Sequence, residues 1–173
     1  MTDVVVAGIG QIPVGDHYSL SLRSMGVQAL VKALHDSGDL KPDALYIGNQ
    51  IGSTLSHQAN LGALFTDYAR LDHIEAYTTE AAGASGAAAL RVAYLAIQSG
   101  YADTVAVLGV EKWSDVTREE ADALLSQELD FDYEAIPGLN SAGEAALLMQ
   151  RYLHEYNLPG DALAGFPIQA HTN

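Results

Sequence analysis

Short apolar runs alternate with longer segments of helical period along this chain, and the alternation restricts the folds open to it. Apolar, often β-branched runs predict strands at residues 4–9, 44–48, 74–79 and 104–110. Segments whose apolar residues recur at helical spacing predict helices at residues 20–34, 57–68, 84–99 and 141–156. Continuously apolar strands separated by helices are typical of an α/β fold with a mostly parallel sheet covered on both faces.

The helix predicted at residues 84–99 lacks a polar face. Its apolar residues, from Ala87 to Ile97, cover nearly the whole circumference. A helix that is apolar on every side is buried on every side, whereas a simple two-layer arrangement leaves one face in water. We therefore expect a second layered unit to pack against this one.

Composition excludes several classes of function. The chain has 173 residues and a formal net charge of −14, which argues against binding nucleic acid or an anionic membrane surface. It contains no cysteine, so disulfides, thiolate metal sites and a cysteine nucleophile are absent. The six histidines show no metal-ligand spacing, and we expect no metal. No signal peptide or spanning apolar run is present, which indicates a cytoplasmic protein.

Two stretches invite alternative interpretations. The opening "GIGQIPVG" resembles a dinucleotide-binding turn, but Pro13 occupies the position of its third glycine, so a strand exit is the simpler interpretation. After Lys112 the sequence becomes acidic and poor in apolar residues, and residues 114–135 read as a surface excursion. We therefore place a domain boundary between residues 113 and 114.

The turn at residues 80–86 is the strongest candidate for a functional site. It leads from a predicted strand directly into the apolar helix, a place where enzymes often present a nucleophile. The candidate position holds Gly83, which has no side chain. Ser85 is the nearest hydroxyl, but it lies two residues on and no base is identifiable beside it.

Here "TEAAGASGAAALR" resembles the nucleophile loop of the thiolase superfamily, particularly the sterol-carrier-protein-x type, which reads Glu-Ala-Ala-Cys-Ala/Ser-Ser-Gly. The first strand and helix, "DALYIGNQIG", "ADTVAVLGVEKWSDV" and the segment beginning "SAGEAALLMQRYLHEYN" resemble further parts of the same family. The matches cover the whole chain and keep their order. Each motif alone is weak, whereas the ordered set is specific.

The resemblance implies a layered thiolase-like fold and a function in acyl-CoA and lipid metabolism. Residues 1–113 correspond to the first α/β half and residues 114–173 to the start of the loop domain over CoA. An acyltransferase of the acetyl-CoA C-acyltransferase type would take a coenzyme A thioester as substrate and no further cofactor. Gly83 stands at the position of the family's nucleophilic cysteine, within a catalytic loop that includes Ala84, Ser85 and Gly86. Asn49 and Met149 are assigned to the CoA region.

The resemblance also implies partners. The family's catalytic histidine and second cysteine belong to a C-terminal half that this chain lacks. Another chain or a longer parent protein would supply that half, and cysteine-less relatives that act as aldolases pair with a small OB-fold protein. In the family, the strand before the nucleophile pairs with its twin in a homodimer. This predicts a contact through residues 74–79, with Tyr77 and Thr79 near the interface.

Three interpretations of the glycine remain open. The chain is a subunit of an enzyme assembly whose chemistry has shifted from thioester exchange to carbon–carbon bond cleavage or condensation. Alternatively, it is a non-catalytic binding or scaffolding subunit. The third interpretation is a fragment or active-site variant of an ordinary thiolase, in which Gly83 replaces a working cysteine.

Overall fold

The computed structural model describes residues 3–172, which divide into two compact units, residues 3–117 and 118–172. The division follows Thr117, shortly after the boundary predicted between residues 113 and 114. The first unit contains the sheet and the turn at residues 80–86. The second unit contains helices.

A three-stranded parallel sheet forms the centre of the first unit. Its strands are β1 (Ala44–Gly48), β2 (Glu75–Thr79) and β3 (Val105–Gly109), in the order β2-β1-β3. Gly48 is in register with Thr79 on one side and with Gly109 on the other, so the carboxyl ends of all three strands meet at one edge. The parallel α/β sheet predicted from the sequence is confirmed.

Helices cover both faces of this sheet. α1 (Leu22–Asp36) and α3 (Leu61–Ala69) pack against one face, and α4 (Ser85–Gln98) packs against the other. Because successive side chains of a strand point to opposite faces, β1 supplies a different pair of residues to each core. Leu45 and Ile47 pack with the first core, whereas Ala44 and Tyr46 pack against α4. The two cores therefore pack on opposite faces of β1. A shift of one residue would exchange the side chains between the two cores, so their packing fixes the register of the strand.

α4 is less covered than its sequence predicts. Its small residues Ala89, Ala93 and Ala96 face the sheet and are buried. On its other side, Leu90, Tyr94 and Leu95 are between 46% and 58% exposed. No described residue of the first unit covers this side, so the second layer expected against α4 is not part of this unit.

Residues 4–9 do not form the predicted strand. Within the part of the chain that the structure describes, they have no sheet partner, and Val5 and Val6 are each 78% exposed. The segment is instead fastened to α1, because the Ile9 N–H donates to Asp36 Oδ2 at 2.9 Å. A Cβ on Gly10 would collide with the Ala29 carbonyl oxygen, so glycine permits this close approach. A β-branched run predicts strand character, but a strand also needs a neighbour, which a local pattern cannot supply.

The helix predicted at residues 57–68 begins later, at Leu61. A short helix, α2 (Gly52–Leu55), precedes it. His57 and Asn60 adopt left-handed backbone conformations, with φ of 50° and 53°, and interrupt helical propagation between the two. The helices predicted at residues 20–34 and 84–99 match α1 and α4, and the glycines just past them, Gly38 and Gly100, have the positive φ expected of helix caps.

The second unit is more regular than the predicted surface excursion. It contains α5 (Arg118–Leu125), a single π-helical turn (Phe131–Ala135), α6 (Ser141–Glu155) and α7 (Gly165–Thr172). α6 agrees with the helix predicted at residues 141–156. α5 lies within the acidic stretch interpreted as a surface excursion, and Glu119 and Glu120 in its first turn complement the helix dipole. Between residues 3 and 172, no helix has the length and apolarity needed to cross a membrane.

A carboxylate joins two tyrosines at the amino end of the sheet. The Tyr46 hydroxyl donates to Glu75 Oε1 at 2.9 Å, and the Tyr101 hydroxyl donates to Glu75 Oε2 at 2.8 Å. Burial, together with the adjacent carboxylate, raises the pKa of Tyr46 well above its ordinary value of 10. The folded state therefore holds this phenolic proton more tightly than the unfolded state does.

We predict that Tyr46→Phe lowers the free energy of unfolding by about 1–2 kcal/mol near neutral pH, because a hydrogen bond to a charged group is lost. The contribution of a raised pKa is present below the unfolded-state pKa and disappears as the pH rises beyond it. The difference between wild type and variant should therefore shrink above about pH 10. Urea unfolding at several pH values measures this difference in unfolding free energy. A difference that stays constant up to about pH 11 would contradict the raised pKa of Tyr46.

Candidate functional site

The turn at residues 80–86 lies at the carboxyl edge of the parallel sheet, where α/β proteins place ligands. It follows β2, passes through a single 3-10 turn (Ala82–Ala84) and enters α4 at Ser85. A Cβ on Gly48, the last residue of β1, would lie 2.6 Å from Gly86 Cα. The turn therefore packs directly on the end of the central strand.

Ala82 has an unusual backbone conformation just before the Gly83 position. Its φ of 47° falls in the left-handed region, which is unfavourable for a residue with a Cβ. Two side chains hold it there: the Ala82 N–H donates to Glu80 Oε1, and the Ala82 carbonyl accepts from Ser85 Oγ at 2.7 Å. Such local strain persists when the surroundings over-determine it and is concentrated at functional sites.

Ser85 acts as a structural clamp within the turn. It is 5% exposed, and its Oγ accepts from the Ala81 N–H at 2.9 Å while donating its proton to the Ala82 carbonyl. Thr79 Oγ1 approaches the carbonyl oxygens of Ile47 and Ser85 at 3.3 and 3.4 Å. Because the Ser85 proton is already bonded to backbone and no base contacts the hydroxyl, the geometry does not favour it as a substitute nucleophile.

Replacing Ser85 by alanine should destabilise the protein by about 1–3 kcal/mol, because the Ala81 N–H and the Ala82 carbonyl lose their shared partner. Ser99→Ala is the matched control at the other end of α4, where the hydroxyl makes a single bond of 2.9 Å to the Ala96 carbonyl. We expect the control to lose about 1 kcal/mol or less. Urea unfolding of both variants measures the difference, and equal losses would rule out the clamp.

Gly83 is exposed and sterically unconstrained. An added Cβ would meet no atom within 4 Å, and its φ is not left-handed. In the part of the chain that the structure describes, the Gly83 N–H has no acceptor. Ala84 and Gly86 are exposed beside it. The turn thus presents a free backbone donor at the N-terminal end of a long helix, an arrangement suited to an oxyanion.

Asn49, assigned from the sequence to the CoA region, lies close to this turn. It is 6% exposed, and its N–H donates to the Thr79 carbonyl at 3.3 Å. Its side chain is fully engaged with protein atoms. Nδ2 donates to the Val110 carbonyl at 2.7 Å and to Glu111 Oε1 at 2.8 Å, and Oδ1 accepts from the Gly52 N–H at 3.0 Å.

Met149, the other residue assigned to the CoA region, lies in the second unit. It is on α6 and is 46% exposed. The structure brings Gly83, Ala84, Ser85 and Gly86 together in one turn with Asn49 next to it. Met149 belongs to a separate unit, so its part in binding CoA stays a prediction.

A separate cleft of about 590 Å³ does not include the turn. It is lined by residues 10–17, by part of α1 and by residues 109–114. Lys112 in this lining is 3% exposed and forms an ion pair with Asp115. Within residues 3–172, no group of three or more histidine, aspartate or glutamate side chains is placed to hold a metal ion.

Two acidic residues that bond to the backbone in or beside the turn, Glu80 and Glu111, were not singled out from the sequence. Glu80 fixes the Ala82 backbone, and Glu111 contacts the loop after β1. Glu111 follows β3 as Asn49 follows β1, and the carboxyl ends of neighbouring parallel strands meet at one edge. Glu111 could therefore have been placed beside Asn49 from its position after the strand that leads into "GVEKW".

The chain is similar to known proteins along nearly its whole length. The family model described as "Thiolase, N-terminal domain" matches residues 4–173. An acetyl-CoA acetyltransferase of Methanocaldococcus jannaschii is 37% identical over 175 residues, covering 100% of this chain and 44% of the relative. Another, from Methanothermobacter thermautotrophicus, is 34% identical over 177 residues and covers 100% and 45%.

One solved structure, 3-oxoacyl-[acyl-carrier-protein] synthase III from Aquifex aeolicus VF5, aligns with a TM-score of 0.49 and 25% identity, covering 56% of this chain and 32% of its own. The chain spans less than half the length of the two acetyltransferases. The family match, by contrast, extends over almost all of this chain and includes the turn around Gly83. The chain therefore belongs to the thiolase family, in which it corresponds to the N-terminal domain.

Proposed function

We propose that the chain is a thiolase-fold subunit that binds the acyl group of a coenzyme A thioester at the Gly83 turn, without supplying a nucleophile of its own. The free Gly83 N–H carries this proposal. It lies at the N-terminal end of α4, in an exposed turn whose backbone is held by Glu80 and Ser85. The acetyl-CoA acetyltransferase relatives support an acyl-CoA as the ligand.

The chemistry follows from what the turn offers and lacks. A backbone N–H at a helix N-terminus stabilises negative charge developing on a thioester carbonyl oxygen. Without a thiol at position 83, no acyl-enzyme forms in this chain. The site would instead suit carbon–carbon bond cleavage or condensation, which needs an oxyanion hole and a proton shuttle but no covalent intermediate. The proton-transferring groups would come from a C-terminal half or from a partner such as an OB-fold protein.

A non-catalytic binding or scaffolding subunit is the second candidate function. It is favoured by the hydrogen bonds of the Ser85 hydroxyl to the backbone, which leave the turn without an available side-chain nucleophile. Both candidates predict acyl-CoA binding. Only the first predicts carbon–carbon bond cleavage when the partner is present.

The test is calorimetric titration of the chain with acetyl-CoA, followed by an assay of acetoacetyl-CoA thiolysis. We expect weak binding and no thiolysis. Gly83→Phe should abolish binding, because its ring would fill the mouth of the turn, and its Cβ would meet no protein atom within 4 Å. Gly15→Phe is the matched control at another unobstructed glycine of the first unit and should bind like wild type. Equal binding by both variants would remove the turn from the ligand site.

We also propose a homodimer through the free edge of β2. β2 lies at the end of the sheet order, and Tyr77 on it is 42% exposed. An unpaired strand edge readily pairs with a second copy. Sedimentation should show a dimer at micromolar concentration, and Thr78→Lys on the exposed strand should weaken it. A wild-type monomer under these conditions would exclude this contact.

A further inference from the structure

We propose that Glu111 is a positioning residue for the Gly83 turn, and that it acts through Asn49. The inference rests on the proposed function, because it concerns the geometry of the turn to which acyl-CoA is assigned. Glu111 follows β3 and is partly buried. Its carboxylate connects the end of β3 to the loop that follows β1.

Both oxygens of the Glu111 carboxylate accept hydrogen bonds from consecutive residues. Oε1 accepts from Asn49 Nδ2 at 2.8 Å, and Oε2 accepts from the Gln50 N–H at 2.8 Å. Charge-assisted bonds of this length are strong and directional. A single side chain therefore fixes both the amide plane of Asn49 and the backbone that follows it.

Asn49 passes this constraint on to the turn. Its N–H donates to the carbonyl of Thr79, the residue before Glu80. Its Nδ2 is also bonded to the Val110 carbonyl, so the side chain cannot rotate without breaking contacts on both sides. On the same strand end, Gly48 packs against the Gly86 backbone. The last residue of β2 and the first turn of α4 are thus both held by the segment that Glu111 anchors.

The two partners of Glu111 require two acceptors. Asn49 Nδ2 and the Gln50 N–H are both donors, so a glutamine at position 111 would direct its own amide donor at one of them. Leaving a partly buried donor without an acceptor is more costly than losing an average hydrogen bond. Because Glu111 bonds to Asn49 and Gln50 and not to the Gly83 turn itself, it acts as a positioning residue.

The test is amide hydrogen exchange of the unaltered chain and of Glu111→Gln. We expect exchange about tenfold faster at Gln50 and also at Ala81 and Ala84, two residues whose amides do not contact Glu111. Amides in the middle of α1 should be unchanged. Glu119→Gln is the matched control, since it removes the same charge from an exposed helix in the second unit. It should leave exchange at Ala81 and Ala84 unchanged.

A second variant covers the case in which Glu111→Gln fails to fold. Glu111→Asp keeps two acceptors on a shorter side chain, so a smaller rise in exchange at the same amides is expected. A rise at Gln50 that leaves Ala81 and Ala84 unchanged, or a uniform rise over the first unit, would overturn the inference.

Acetyl-CoA titration separates this inference from the proposed function. If wild type binds acetyl-CoA, Glu111→Gln should weaken binding about tenfold or more in parallel with the faster exchange. If wild type does not bind, the acyl-CoA proposal fails while the exchange result still decides the role of Glu111. If Glu111→Gln binds like wild type, Glu111 does not position the binding turn.

Discussion

Gly83→Cys should acquire covalent acyl labelling when the chain is combined with the C-terminal half of a thiolase. The turn already offers the space and the backbone donor that a thiol at this position needs. A Cβ meets no atom within 4 Å, the backbone is not left-handed, and the local N–H is free. A helix N-terminus lowers the pKa of a thiol and favours the thiolate. We expect the acetyl adduct to rise from none to near one per chain, measured by intact mass after incubation with acetyl-CoA.

Gly15→Cys is the matched control for this experiment, because that position is equally unobstructed but lies outside the turn. It should remain unlabelled in the same mixture. We further expect no labelling of Gly83→Cys without the second half, since the resemblance to thiolases assigns the family's histidine and second cysteine to that half. Labelling of both variants to the same extent would show that the thiol reacts without help from the turn.

Gly48→Ala should be among the most destabilising single methyl additions in the first unit. The new Cβ would lie 2.6 Å from Gly86 Cα and 2.8 Å from the Ser85 carbonyl carbon. These are backbone atoms, which cannot rotate away as a side chain does, so the strand end and the turn must separate. We expect a loss of about 3 kcal/mol and a fall in Tm of roughly 10 °C. Calorimetry measures the fall in Tm, and acetyl-CoA titration should show weaker binding.

Gly83→Ala makes the same chemical change within the turn and is the control. Its Cβ meets no atom within 4 Å, so we expect a change of less than about 1 kcal/mol, and a stabilising sign is consistent with reduced freedom of the unfolded chain. If the two alanine variants were equally stable, the close packing of β1 on the turn would be contradicted.

Local sequence patterns predicted the elements whose stability is local or whose partners follow closely. β1, α1 and α4 match their predicted positions, and Gly38 and Gly100 end the two helices as their place in the sequence suggests. The strand predicted at residues 4–9 was wrong because a strand needs a neighbouring strand, and this segment is hydrogen-bonded to α1 instead. The late start of α3 depends on left-handed residues such as Asn60, which carry no hydrophobic signal.

In the candidate site, too, local features could be predicted from the sequence and long-range contacts could not. The turn around Gly83 was located from a contiguous motif, and the structure adds its steric openness and its free N–H. The groups that hold the turn were harder to predict, because their partners are distant in sequence. Glu111 bonds to Asn49 across the sheet edge, and a single sequence cannot show which of many acidic residues makes such a contact.

Native mass spectrometry of the protein purified from its source, with and without acetyl-CoA, is the most direct test that the Gly83 turn belongs to a two-part acyl-CoA site. We predict that the chain occurs joined to, or in complex with, a polypeptide of comparable or larger size, and that this species gains the mass of acetyl-CoA. Detection of only the 173-residue chain or its homodimer, with no gain in mass, would contradict a shared acyl-CoA site at Gly83.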